Sequence, residues 1–123
     1  MWSYRQSDGE LRDGAGAHAA TGYSGAGHTA ATGRNNPDMQ GVSNKGPIPR
    51  GRYRIGAPHT SDHTGPYTMN LDAEPGTDTL GRSAFRIHGN DAQDDASHGC
   101  IIMARFVRTR IWESGDHEIE VVR

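Results

Sequence analysis

One cysteine among 123 residues excludes an intramolecular disulfide, so oxidative stapling plays no part in holding this chain together. Aromatic residues are scarce at 7%, and hydrophobic residues stop at 33%, so any core is built from few side chains in short groups. No run approaches the ~18 apolar residues of a membrane-spanning helix, and no membrane insertion is expected. Neither sign of charge dominates, with 13 basic against 15 acidic residues and a net charge of −2. The basic residues are scattered, which argues against an electrostatic nucleic-acid binder. The opening MWSYRQSDGELRDG has neither a charged n-region nor an apolar h-region, so synthesis in the cytoplasm without a Sec signal peptide is expected. The length suits a single domain over residues 1–123.

What the chain does have is glycine and short alternating strands. Trp2 to Gln6 alternates, Asp8-Gly9 supplies a turn, and Glu10 to Asp13 completes an opening hairpin. Residues 14–36, rich in Gly, Ala and Thr, read as a long wrapped loop, a length that compact domains keep for functional segments. Gly46 to Gly51 is a rigid turn feeding a strand from Arg52 to Ile55, and Tyr67 to Leu71 is another strand, ending before Glu74-Pro75-Gly76. Ser83 to His88 is a further strand, with Phe85 and Ile87 on one face and Arg86 and His88 on the other. Met103, Phe106, Val107, Arg110 and Ile111 recur at helical spacing up to Ser114-Gly115, and His117 to Val122 closes the domain as a strand. The expected fold class is mainly β, with one short helix after the cysteine.

The chemistry concentrates between His88 and Cys100. A thiol nucleophile needs a base and donors for an oxyanion, and Cys100 is expected just before the helix, where free backbone N–H groups serve both needs. Two histidines compete as base. His98 lies two residues away, at a Cα separation of ~6.6 Å in extended chain. His88, twelve residues earlier, ends a rigid strand, and catalytic constellations need supported rotamers, which favours His88. The plain alternative is a buried structural thiol beside Ile101 and Ile102. Asp91, Asp94 and Asp95 read as a solvated turn, or as partners for a substrate ammonium group. Tyr23 offers a flat phenol for a substrate groove, and Arg82 and Arg86, expected to face solvent, offer bidentate partners for a substrate carboxylate. His59 and His63 have metal-ligand spacing only on a helix, and Pro58 with Thr-Ser-Asp argues for a loop, so no metal and no cofactor are expected.

Ile87-His88-Gly89 followed by Ser97-His98-Gly99-Cys100-Ile101 resembles the signature of YkuD-type L,D-transpeptidases. The order TGYSGAG, GRNNPDMQ, GPIPRGRYRIG, GRSAFRIHG, SHGCII and SGDHEIEVV is similar to a compact branch, the L,D-transpeptidase-like peptidoglycan-targeting effectors of type VI secretion systems. The resemblance implies a compact YkuD-like catalytic domain acting on peptidoglycan stem peptides. It implies Cys100 as nucleophile and His88 as base, with Gly89 orienting the imidazole through its carbonyl. Ser97, His98 and Gly99 are then the residues that shape the pocket and the oxyanion site, with backbone N–H groups near Gly99 and Cys100 as donors. L,D-carboxypeptidase cleavage of a tetrapeptide stem, exchange of its terminal D-alanine, or both, are the implied activities. The short spacing from His88 to Cys100, and Ile102 where housekeeping enzymes carry a polar residue, weigh against cross-linking. Delivery into a target cell's periplasm, a cognate immunity protein and type VI components are the implied partners. The rival functions are a metal-dependent peptidoglycan amidase or peptidase and a non-catalytic peptidoglycan-binding module.

Overall fold

The computed structural model describes residues 1–123. Ten strands and one α-helix follow one another as β1 (Trp2–Arg5), β2 (Glu10–Arg12), β3 (His18–Thr21), β4 (Tyr23–Ser24), β5 (Gly51–Ile55), β6 (His59–Ser61), β7 (Gly65–Ala73), β8 (Phe85–His88), β9 (Ile101–Ile102), α1 (Arg105–Glu113) and β10 (Glu118–Val122). They lie in the order β3-β2-β1-β10-β5-β7-β8-β9-β4, with β6 added on β7. The mainly β class with one short helix is what the alternation of apolar residues predicts.

Period-two patterning explains the core. Trp2 and Tyr4, Tyr53 and Ile55, Met69 and Leu71, Phe85 and Ile87, and Ile119 and Val121 are alternate residues of their strands, and all are buried in one cluster. Each such side chain stabilises the fold by roughly 1.5–3 kcal/mol on burial. The helix adds Val107 and Ile111, one turn apart, to the same cluster. Phe106, expected on that stripe, is instead 75% exposed, because it lies one position off the line through Val107 and Ile111.

Three further expectations change. Residues 14–36 are not one loop: they contain β3, which extends the opening hairpin, and β4, which pairs antiparallel with β9. The strand expected from Ser83 begins only at Phe85, because Ala84 sits at φ +64°, in the left-handed region that non-glycine residues seldom adopt. Cys100 does not abut the helix. It is followed by β9, which pairs in parallel with β8, and α1 starts only at Arg105, so the helix dipole does not act on the thiol at close range.

Candidate active site

The parallel pairing of β8 with β9 sets the site. Ile87 is in register with Ile101 and His88 with Ile102, so Cys100 enters the sheet beside Arg86, one pleat from His88. Strand alternation turns Ile87 and Ile101 into the core and leaves the other face to Arg86, His88 and Cys100. These three line one cleft of about 440 Å³ together with His63, Thr64, Ala84, Ala96 and His98.

His88 is 4% exposed and ends β8. Its Nδ1 lies 2.9 Å from the Gly89 carbonyl, which only accepts, so Nδ1 carries the hydrogen and Nε2 is left as the basic nitrogen. Burial pushes the imidazole below the ordinary histidine value of about 6.5, against the Gly89 bond and with help from the Arg108 and Arg86 charges. Burial likewise raises the Cys100 thiol, while an Arg86 backbone bond and the Arg86 and Arg82 charges favour the thiolate to a lesser degree. Both shifts favour neutral thiol beside neutral imidazole.

Ser97 builds the turn that presents Cys100. Fully buried, its Oγ donates to the Cys100 carbonyl (2.6 Å) and accepts from the amides of Gly25 (2.9 Å) and Gly99 (3.2 Å). The Gly99 N–H is thus spent on the turn itself, and the amide of Cys100 is the one left at the nucleophile for an oxyanion. Gly99 has φ +131°, and a Cβ there would clash with the Arg82 guanidinium, so only glycine fits. His98 is exposed in side chain, lines the cleft, and passes its carbonyl to Arg82.

Arg82 corrects an expectation. It is 8% exposed rather than solvent-facing, and its guanidinium donates to four carbonyls, those of Gln40 (2.6 Å), Pro47 (2.7 Å), Gly46 (3.0 Å) and His98 (3.2 Å). That tie fastens the 40–47 segment to the nucleophile turn and leaves no free fork for a substrate carboxylate. Arg86, half-buried, spends one contact on Ser61 Oγ (3.0 Å) and keeps the rest of its fork in the cleft. Tyr23 has a structural task as well as a place at a pocket. Its hydroxyl donates to Asn90 Oδ1 (2.6 Å) and accepts from the Ala96 amide (2.8 Å), which anchors the 90–96 loop, while its side lines a pocket next to the cysteine cleft rather than that cleft itself.

The early segment does line something: the back of that loop. Gly27 donates to Asp95 (2.8 Å), His28 Nε2 donates to the Gln93 carbonyl (2.9 Å), and Arg34 pairs with Asp94 (3.2 Å) while its guanidinium lies 3.5 Å from the centre of the Tyr23 ring. Asp91 caps its own turn through the amides of Gln93 and Asp95. Asp94 is therefore engaged in an ion pair, while Asp91 and Asp95 still border the groove beside His88. His59 lies on β6 and His63 in the turn after it, so no helix face presents the two together.

Sequence reasoning missed Arg108. It sits on the buried face of α1, 6% exposed, and donates to the carbonyls of Met103 (3.1 Å), Pro66 (2.9 Å) and Tyr67 (3.0 Å) beside Gly89. The available signal was an arginine next to Val107 and one turn before Ile111, in an otherwise apolar stripe.

Set against known proteins, residues 18–122 match the model of the Tlde1 domain, a stretch that takes in everything from β3 to the end of β10. No curated protein matches the chain.

Proposed function

The chain belongs to the Tlde1 domain family, a family of antibacterial type VI secretion effectors, and on that premise we propose that it is a cysteine-dependent L,D-carboxypeptidase that shortens tetrapeptide stems of peptidoglycan, with exchange of the terminal D-amino acid as the same chemistry run with an amine acceptor. The observation that carries this reading is the sharing of one cleft by Cys100 and a buried His88 whose Nδ1 is held by the Gly89 carbonyl.

The steps follow from the neutral pair. Nε2 of His88 takes the thiol proton as Cys100 Sγ attacks the carbonyl carbon of the third stem residue. The Cys100 amide donates to the oxyanion that forms. The carbon–nitrogen bond to D-alanine then breaks, and the imidazolium returns its proton to the leaving amine. Water, deprotonated by His88, attacks the thioester and releases the tripeptide with the thiol reprotonated. An amine in place of water gives exchange. Arg86, the guanidinium with donors free in the cleft, receives the terminal carboxylate of the stem. The site of action is the target cell's periplasm, and a producer is protected by a cognate immunity protein.

Incubation with tetrapeptide muropeptides should yield tripeptides and free D-alanine, read by mass spectrometry. The activity needs neutral imidazole with neutral thiol, or the equivalent charged tautomer, so kcat/KM should be bell-shaped against pH. Because the lower pKa is depressed and the upper raised, the plateau should be wide, with the acid limb below the ordinary histidine value. A proton in flight during attack also predicts a normal solvent isotope effect. An acid limb well above the ordinary histidine value would remove the neutral pair, and intact tetrapeptide after long incubation would remove the activity.

A further inference from the structure

A second pocket, of about 350 Å³, opens at the start of α1 and is lined by Gly22, Tyr23, Gly89, Asn90, Arg105 and Arg108 among others. Cys100 and His88 do not border it. It adjoins the groove beside His88 through Gly89 and Asn90, which line both, and that groove in turn shares His88 and His98 with the Cys100 cleft. The helix that opens onto it is built against its own dipole. Ala104 at the N-cap gives no side-chain bond, and the first turn holds no acidic residue. The amides of Val107 and Arg108 turn to the Ala104 carbonyl, so those of Arg105 and Phe106 remain open. Basic side chains occupy this positive helix end, where anions are the stabilising partner.

Arg108 turns one donor into this pocket. The residue is only 6% exposed, its Nε and Nη1 go to carbonyls, and Nη2, with no protein acceptor, opens to the pocket. Nη2 is the atom nearest to a Cβ built on Gly89, which places it at the pocket wall. Arg105 is held at the rim over the Tyr67 ring, at 4.6 Å, and its charge acts on Arg108. Neither guanidinium forms an ion pair. With no acidic partner nearby, the free Nη2 of Arg108 and the guanidinium of Arg105 beside open helix amides match a carboxylate.

We infer that this pocket is an anion subsite that takes a carboxylate of the substrate, held by Arg108 Nη2, the Arg105 guanidinium and the open amides of α1. The occupant follows from the proposed activity on stem peptides, which carry carboxylates along their length. Ile102 borders the pocket two residues past Cys100, ~6.6 Å along an extended chain, so a stem seated on Cys100 lies within about two residues' reach of it.

The test uses Cys100→Ala protein, so that binding is read without turnover, by amide NMR during titration with a tetrapeptide stem and separately with inorganic phosphate. Saturable shifts at Arg105, Phe106 and Val107 with the stem are expected. Phosphate should compete with it, and Arg105→Ala should weaken the stem about tenfold. Arg105 is exposed, so that variant keeps the fold. Stem binding with no shifts at α1, or shifts unchanged by Arg105→Ala, would overturn the subsite. Shifts with phosphate alone, an adventitious ion only, would overturn it as well. Loss of D-alanine release by the wild-type chain would instead count against the proposed activity, since binding to the Cys100→Ala protein is measured independently.

Discussion

Replacing Cys100 with alanine is expected to lower D-alanine release from tetrapeptide stems by roughly 10⁴-fold or more, because no other group in the cleft can form the thioester. The stability of the protein should hardly move. The sulfur's own bonds are weak, a long one of 4.0 Å to the Ala84 carbonyl and one from the Arg86 backbone, and the turn around it is held by Ser97 and Arg82. A thermal melt matching wild type beside lost turnover separates nucleophile from structural thiol. Retained turnover in the alanine variant would return the thiol to a structural role. The base is distinguished in the same assay. His88→Ala should cost about 10²–10⁴-fold, whereas His98→Ala, an exposed ring at the rim, should cost far less. A reversal of those two losses would make His98 the base.

The second large effect is on folding. Arg82→Met should destabilise the chain by roughly 3–5 kcal/mol, since four carbonyls lose their donor at once and some regain water only by opening the turn. Total stability of a domain is about 5–15 kcal/mol, so the variant should unfold at much lower urea. Arg82→Lys should rescue little, because one ammonium cannot reach carbonyls of Gln40, Gly46, Pro47 and His98 in the geometry of a planar fork. A urea midpoint within error of wild type for Arg82→Met would refute the cross-link. The same arginine lies close enough for its charge to act on Cys100, so a partly folded variant should also be slower.

These effects explain why some of the site was legible in the chain and some was not. His88 and Cys100 stand out because their chemistry is local, a thiol and an imidazole delivered by a strand end, while Gly89 and Ser97 were reached only through the family resemblance. Arg82 and Arg108 were not legible as internal ties. Their acceptors are carbonyls, which every residue carries, and they lie 16 to 42 positions away for Arg82. The anchoring role of Tyr23 was hidden for the same reason, since its partners Asn90 and Ala96 lie 67 and 73 positions along the chain.

Alone, the order of residues determined the mainly β class, the alternate inward faces of the strands and the single helix, and it offered a lone thiol two candidate histidines. Those follow from periodicity and residue chemistry, which act over a few positions. Only the tertiary structure decided that β9 separates Cys100 from the helix, that the early glycine-rich segment clasps the 90–96 loop, and that burial disfavours the charged forms of both thiol and imidazole. Each depends on which distant segments exclude water from a given group, and desolvation is a property of the packed molecule, not of a stretch of chain.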